Sequence, residues 1–287
     1  MTIFEELAPA KVNLTLDVVG RRTDGYHALR SLVVFAQTAA DRVVLDVSRP
    51  VGSAVTGPFA ATLSGKNLID VTLAKLAAAD PDLQLGHVTL TKNLPVAAGI
   101  GGGSADAAAV LRAVRRANHE RSQSVNWHAL AVSLGADVPV CLAAHVAWMT
   151  GIGDVVTPLT GVPALAAVLV NPLSPMPDNK TAQVFRALAA SPAAADASVA
   201  PPPPFATRND LLAYMRAHGN GLEAAACRVA PIIADVKRAL IATHGCHYAA
   251  VSGGGPTCFA IFDDPDTAAA IIQWRHPDWW VQAVTLR

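Results

Sequence analysis

The chain has 287 residues, enough for one large or two modest domains with a hydrophobic core, so a small disulfide-stapled scaffold is excluded. Lys and Arg number 22 and Asp and Glu number 22, so the net charge is zero and gives no general attraction for nucleic acid or an anionic membrane. Hydrophobic residues make up 52% of the chain, yet no uninterrupted apolar stretch approaches the roughly 20 residues of a membrane span. The N-terminus lacks signal-peptide features and the 4 cysteines show no paired spacing, which together favour a cytoplasmic location.

The opening of the chain is predicted to be rich in β-structure. Alternating apolar residues predict a strand over 3–20, which ends at Gly20. Thr23–His27 has the composition of a turn, and strand-like sequence returns over 32–35 and 42–47.

Helices and strands then alternate. Helices are predicted over 67–79, 105–117 and 127–134, and strands over 88–91 and 146–149. The sequence therefore places a glycine-rich loop between a strand and an amphipathic helix.

A second module is predicted to begin near Gly161, with domain bounds of 1–160 and 161–287. Its predicted strands are 164–170, 248–251 and 258–262, and its predicted helices are 182–190, 222–243 and 266–274. The Pro- and Ala-rich stretch 191–204 is predicted to be a solvated loop, because it cannot bury enough apolar surface to pack.

The glycine loop at Gly99–Ser104 points to an anion. Glycines let backbone amides approach a ligand closely, and the following helix adds free N–H groups and the positive end of its dipole. The loop has no lysine after the glycines, so it is not a Walker loop, and Ser104 replaces the last glycine of a Rossmann fingerprint. A flexible turn is the simpler alternative, but the entropic penalty of three successive glycines favours phosphate binding.

Lys11 and Asp137 are the candidate catalytic side chains. Lys11 lies in an otherwise apolar strand, and Asp137 starts a segment whose third residue is Pro139. From spacing alone, a helix N-cap for Asp137 and a solvated face for Lys11 are the favoured explanations. If both point at the glycine loop, Asp137 can accept a hydroxyl proton while Lys11 lowers the pKa of that hydroxyl and neutralises charge on the transferred phosphoryl group.

Three motifs resemble, in order, those of the GHMP small-molecule kinases. They are Ala8–Leu14, the glycine-serine loop and Val251–Thr257. Gly20–His27, Leu134–Val140 and Arg208–Leu212 are similar to the branch that acts on a cytidine diphosphate methylerythritol, and the resemblance covers nearly the whole chain.

The resemblance implies an α+β fold with an S5-domain-2-like N-terminal half and a ferredoxin-like C-terminal half. It also implies ATP-dependent phosphorylation of the 2-hydroxyl of that substrate, in non-mevalonate isoprenoid synthesis, by direct in-line transfer. Asp137 then matches the family's base, and Lys11 matches the residue that assists it. ATP and Mg²⁺ are the implied cofactors, with a monomer or weak homodimer and no nucleic-acid or membrane partner.

The resemblance also assigns binding residues. The positions that match nucleotide binding are Asn67, Lys92, Pro95, Val96, Ala97, Ala98, Gly99, Ile100, Gly101, Gly102, Gly103, Ser104 and Ala105. The positions that match substrate binding are Asn13, Tyr26, His27, Thr181 and Phe185, with Tyr26, His27 and Phe185 expected against the cytosine ring.

Departures from the family pattern fall mostly in the loops. Ala97 stands where glycine is usual, Ala105 where a second serine is frequent, and Gly254 where serine commonly splits the glycines. The stretch 175–180 before Thr181 also differs from the family pattern. None of these changes removes a catalytic group.

Two other functions remain open at this point. A GHMP kinase for homoserine or mevalonate would keep Lys11 and Asp137 but make no use of Tyr26 and His27. A catalytically silent nucleotide-binding protein would have no need for the Lys11 and Asp137 pair. A nucleic-acid module on an S5-like fold is disfavoured by the zero net charge.

Overall fold

The computed structural model describes residues 2–63, 67–188 and 200–287. Backbone contacts divide the chain into two compact units. Unit 1 comprises 1–11, 39–97 and 101–144, and unit 2 comprises 12–38, 98–100 and 145–287. The units are discontinuous along the chain, whereas the domains expected from sequence are continuous, and the boundary at residue 160 stays a prediction.

The strands are β1 (Ile3–Arg21), β2 (His27–Asp46), β3 (Gly52–Thr56), β4 (His87–Thr91), β5 (Ala147–Thr150), β6 (Val155–Pro158), β7 (Leu165–Asn171), β8 (Tyr248–Val251), β9 (Cys258–Ile261) and β10 (Trp280–Leu286). The helices are α1 (Leu68–Ala79), α2 (Gly102–Ala117), α3 (Trp127–Leu134), α4 (Val138–Ala143), α5 (Lys180–Leu188), α6 (Arg208–His218), α7 (Glu223–Val229), α8 (Ile232–Ala242) and α9 (Pro265–Arg275). Short 3₁₀ turns lie at Ala60–Thr62 and His119–Arg121. No helix in the described ranges is long and apolar enough to cross a bilayer.

Unit 1 is built around helix α2. The Ala-rich sequence of α2 leaves little side-chain bulk, so the helix packs closely against α1, α3 and α4 and is buried along most of its length. β4 pairs in parallel with β3 and antiparallel with the Arg42–Asp46 end of β2. This packing fixes the start of α2, where the glycine loop ends.

Unit 2 is a mostly antiparallel sheet covered by helices. β10 pairs with β7 and with β2 at Ala36, β7 pairs with β9, and β9 pairs with β8. The first half of β2 also pairs with β5, which pairs with β6. Apolar residues of α8 and α9 pack on Val168, Val170 and their neighbours to form the core of this unit.

Two predicted strands are one. The sequence favours separate strands over 32–35 and 42–47, but β2 runs without a break from His27 to Asp46. Both ends of β2 find pairing partners, since Ser31–Val33 pairs with β5 and Arg42–Asp46 pairs with β4. The more polar residues between these two paired segments therefore also adopt the strand conformation.

Several helix bounds also differ from expectation. The helix predicted over 222–243 is two helices, because Pro231 has no N–H to donate and lies at the N-cap of α8. α2 starts at Gly102 rather than Ala105, because left-handed Gly101 ends the loop. α5 starts at Lys180, and residues 189–199 of the predicted helix and loop lie outside the described residues. Strands β3, β6 and β10 and helices α4 and α6 were not predicted.

Candidate active site

The backbone of the glycine loop alternates in handedness. Ala97, Gly99 and Gly101 have φ values of +54°, +78° and +66°. Left-handed residues that alternate with others turn successive N–H groups toward one side, which is how a backbone nest holds an anion. Ala97 adopts this conformation with a Cβ that disfavours it, so the departure seen in the sequence has a structural consequence.

The first turn of α2 is crowded on one side and open on the other. A Cβ at Gly101 would lie 3.2 Å from Lys11 Cβ, and one at Gly102 would lie 3.1 Å from Lys92 Nζ. A Cβ at Gly103 would meet nothing within 4 Å. A side chain at 101 or 102 would thus crowd the lysine beneath it, whereas the space beside Gly103 leaves this side of the helix start open.

Lys11 and Asp137 form an ion pair inside unit 1. Lys11 Nζ lies 3.0 Å from Asp137 Oδ2, and the lysine side chain is 4% exposed against 35% for the aspartate. Asp137 occupies the N-cap position of α4, but its side chain makes no capping hydrogen bond. Both simpler explanations are therefore wrong: the lysine is not solvated, and the aspartate does not cap its helix.

This pair lies next to the glycine loop. A Cβ added at Gly101 would be 3.3 Å from Lys11 Cε and 3.7 Å from Cys141 Sγ, so the stem of Lys11 runs against the residue that precedes α2. Burial raises the pKa of the Cys141 thiol to about 12, and the Asp137 charge adds to this effect. The thiol is therefore neutral, and the charged groups at this place are the ammonium and the carboxylate.

Lys92 belongs to a second, deeper cluster in unit 1. Its Nζ donates to Asp41 Oδ2 at 2.5 Å and to Asp106 Oδ2 at 2.7 Å, and all three side chains are at most 5% exposed. Asp41 Oδ1 accepts from the backbone N–H groups of Asn93 and Leu94. The cluster therefore connects β2, the segment after β4 and the second turn of α2.

Sequence reasoning missed Asp41 and Asp106. A signal for Asp106 was present, because it falls four residues before Val110 and eight before Val114, on the apolar face of a predicted helix. Burial raises the pKa of Asp106 to about 8, although the Lys92 charge acts in the opposite direction. The two carboxylates around one ammonium would otherwise leave an excess negative charge in the core.

The other positions matched to nucleotide binding lie along the same segment. The Asn67 side chain accepts from Ile69 N and caps α1. The loop positions differ in burial. The buried ones are Pro95, Ala98, Ile100 and Ala105, the half-buried ones are Val96, Gly99, Gly101, Gly102 and Ser104, and the exposed ones are Ala97 and Gly103. Their contacts with a nucleotide stay predictions.

In unit 2, His27 and Phe185 stack on each other. Their ring centroids are 4.7 Å apart with 23° between the planes, which joins the start of β2 to α5. Burial, followed by the charge of Arg21, lowers the pKa of His27 below its usual 6.5, so the imidazole is neutral near pH 7. Tyr26 is 60% exposed and Thr181 is exposed, so both are available at the surface of unit 2.

Asn13 connects β1 to a second glycine-rich turn, Ser252–Thr257. Its Nδ2 donates to Ser31 Oγ at 2.7 Å, and its backbone N–H donates to Ser252 Oγ at 3.3 Å. Ser252 Oγ in turn donates to Gly99 O at 3.1 Å. The Ser252–Thr257 turn thus holds the part of the first glycine loop that belongs to unit 2.

Lys180 was not assigned from the sequence either. It is 6% exposed at the start of α5, and its Nζ donates to Gly255 O in the second glycine turn. Burial lowers the pKa of Lys180 to about 8. This residue lies in the stretch that departs from the family pattern and ties the helix of Thr181 and Phe185 to the turn.

Comparisons with known proteins give the family. The GHMP kinases N terminal domain matches residues 66–145, and the GHMP kinases C terminal matches residues 207–274. The 4-diphosphocytidyl-2-C-methyl-D-erythritol kinase of Methylobacterium radiotolerans is 48% identical over 100% of both chains. The chain belongs to the 4-diphosphocytidyl-2-C-methyl-D-erythritol kinase family. The kinase of the same name from Parvibaculum lavamentivorans is 44% identical over 96% of each chain.

Solved structures agree with this family. A crystal structure of 4-(cytidine 5'-diphospho)-2C-methyl-D-erythritol kinase has a TM-score of 0.73 and 33% identity, covering 98% of each chain. Homoserine kinase from Cytophaga hutchinsonii has a TM-score of 0.65 at 16% identity over 99% of this chain and 96% of that one, a likeness of fold alone. The predicted α+β GHMP kinase fold is confirmed, and the chain is a small-molecule kinase.

The described residues offer no dedicated metal cage. Among them, no three His, Cys, Asp or Glu side chains lie close enough to hold a metal ion, and this includes the stretch His244–His247. Asp41 and Asp106 each bind the Lys92 ammonium through Oδ2. Mg²⁺ is commonly held through substrate phosphates with few protein ligands, so the donor set fits a metal carried by ATP better than a resident ion.

Proposed function

We propose that this kinase transfers the γ-phosphoryl group of ATP to the 2-hydroxyl of 4-diphosphocytidyl-2-C-methyl-D-erythritol. The observation that carries the proposal is the Lys11–Asp137 ion pair, 3.0 Å between Nζ and Oδ2, with the Lys11 stem beside Gly101, the residue before α2. The relatives' printed names support the choice of substrate. The reaction belongs to isoprenoid synthesis, and a cytoplasmic location stays a prediction.

In the proposed mechanism Asp137 is the base. Its Oδ2 is held by Lys11, and its partial exposure lets the carboxylate reach a substrate hydroxyl. As the hydroxyl proton moves to the carboxylate, the oxygen attacks the γ-phosphorus and the bond to ADP breaks, with no covalent enzyme intermediate. The Lys11 ammonium neutralises charge on the hydroxyl oxygen and on the phosphoryl group.

ATP is proposed to place its phosphates along the loop Pro95–Ala105. The left-handed residues, the open face at Gly103 and the N-terminus of α2 favour this placement. Mg²⁺ is proposed to arrive with ATP and to neutralise part of the phosphate charge.

Cytosine recognition is proposed for the aromatic residues of unit 2. His27 and Phe185 already stack, so a cytosine ring would either extend the stack or separate the two rings. Tyr26 offers a further exposed ring, and Asn13 and Thr181 add polar groups. A neutral His27 can both donate and accept a hydrogen bond at the base edge.

The proposal is tested by ADP release from Mg-ATP with this substrate beside homoserine, mevalonate and galactose. We expect turnover with the cytidine substrate alone and a loss of about 100-fold or more in kcat for Asp137→Asn, since base catalysis contributes at least that much. The exposed Asp82→Asn is the matched control in unit 1 and should behave as wild type. Turnover with another alcohol, together with full activity in His27→Ala, would contradict the substrate assignment.

A further inference from the structure

The Asp41–Lys92–Asp106 cluster contains one more acid than base. All three side chains are withdrawn from water, so the charges are not screened by solvent. Asp106 Oδ1 is buried and has no hydrogen-bond partner among the described residues. A fully ionised carboxylate with an unpartnered buried oxygen is unfavourable, whereas a neutral carboxyl leaves less charge uncompensated.

The cluster lies directly beneath the start of α2. A Cβ at Gly102 would be 3.1 Å from Lys92 Nζ and 3.9 Å from Asp41 Oδ2. Phosphate oxygens that accept from the N–H groups of Gly102, Gly103 or Ser104 would therefore come close to these buried groups. An uncompensated negative charge in the cluster would repel them, and a neutral cluster would not.

We propose that ATP binding at the α2 N-terminus is coupled to the uptake of one proton by the buried carboxyl group of Asp106. This inference rests on the proposed function for the placement of ATP. The proton comes from solvent, no covalent bond is made or broken, and Lys92 stays an ammonium between the two carboxyl groups. The three residues are positioning residues, because they act on the nucleotide through the backbone of the loop.

The surroundings of Asp106 agree with this coupling. The charges that act on Asp106 are those of Lys92, which opposes protonation, and of Asp41, which favours it. On α4, the Cys141 thiol is neutral, and the Asp106 charge is one of the influences that raise the pKa of this thiol. With the pKa of Asp106 near 8 in the absence of nucleotide, the cluster is mostly neutral at pH 7 and negative at pH 9.

Calorimetry of ATP binding measures the coupling directly. Mg-ATP is titrated into the full chain without the alcohol substrate at pH 8, in two buffers with different enthalpies of ionisation. The difference in observed enthalpy gives the number of protons taken up. We expect about half a proton per ATP for wild type, because a group with a pKa of about 8 is half-protonated at that pH.

Two variants and one control test whether the buried cluster is the source of the proton uptake. Asp106→Asn and Asp41→Asn each remove the excess charge while keeping a similar shape, so both should bind ATP without proton uptake. Their ATP Kd should be independent of pH between 7 and 9, whereas that of wild type should rise by up to about tenfold. Asp266→Asn, on the exposed first turn of α9, should retain the wild-type proton uptake.

The outcomes separate this inference from the proposed function. ATP binding by wild type with no proton uptake would overturn the inference alone, and so would uptake that persists in both Asn variants. Failure of wild type to bind ATP would contradict the proposed function as well. If one Asn variant does not fold, which far-ultraviolet circular dichroism reports, the wild-type titration and the other variant still decide.

Discussion

Matched alanine substitutions at Gly99 and Gly103 test the geometry of the glycine loop. Gly99 has a φ of +78°, and a Cβ there would lie 2.4 Å from Gly255 O and 2.8 Å from Ser252 O. The left-handed conformation disfavours alanine by about 1–2 kcal/mol. Displacing two backbone oxygens adds about 1–3 kcal/mol, as in other overpacked sites. Gly99→Ala should therefore lower the free energy of unfolding by roughly 2–5 kcal/mol.

Gly103→Ala should have the opposite effect. This glycine lies in the first turn of α2 with nothing within 4 Å of an added Cβ, so alanine should raise stability by up to about 1 kcal/mol through its helix propensity. Urea unfolding followed by circular dichroism and tryptophan fluorescence gives both values, and coincident transitions justify a two-state fit. A Gly99→Ala variant within about 0.5 kcal/mol of wild type would refute the close approach of the two glycine turns.

Three further expectations concern single side chains. Ala97→Gly should raise the free energy of unfolding by up to about 1 kcal/mol, measured by urea titration, because the left-handed backbone no longer carries a Cβ; the added freedom of the unfolded chain offsets part of this gain. Lys92→Met should lower it by about 3–5 kcal/mol, and Asp106→Asn in the same chain should restore part of that loss; no restoration would argue against charge as the cause. His27 should titrate by NMR below pH 6.5, and since its neutral form is favoured in the fold, wild type should lose more stability than His27→Gln as the pH falls from 7 to 5.

Local sequence signals predicted most of the elements near the site. The helix predicted over 67–79 is α1, with Asn67 as its N-cap and Asp80 as its C-cap. The glycine run also predicted a loop before α2, because successive glycines between a strand and a helix are typical of a loop. These features depend on residues that are neighbours in the sequence, so they can be predicted from it.

Elements with weak local patterns were missed. β10 and β3 are partly buried strands whose pairing with β7 and β4 decides their conformation. α6 begins at a Thr207–Asp210 capping box, a signal that was present in the sequence but not used. The break at Pro231 was equally readable, since a proline inside a helical pattern ends or kinks it.

The sequence by itself determined the family, because its motifs are short and local, and the resemblance to that family made Asp137 the candidate base and the glycine loop the candidate phosphate site. Only the tertiary structure decided what the lysines do: Lys11 is buried against Asp137, and Lys92 is enclosed by Asp41 and Asp106. Spacing along the chain favoured a solvated Lys11, since a lone charged residue is usually exposed. Burial of a charge depends on partners that are distant in sequence, and folding alone brings them within hydrogen-bond distance.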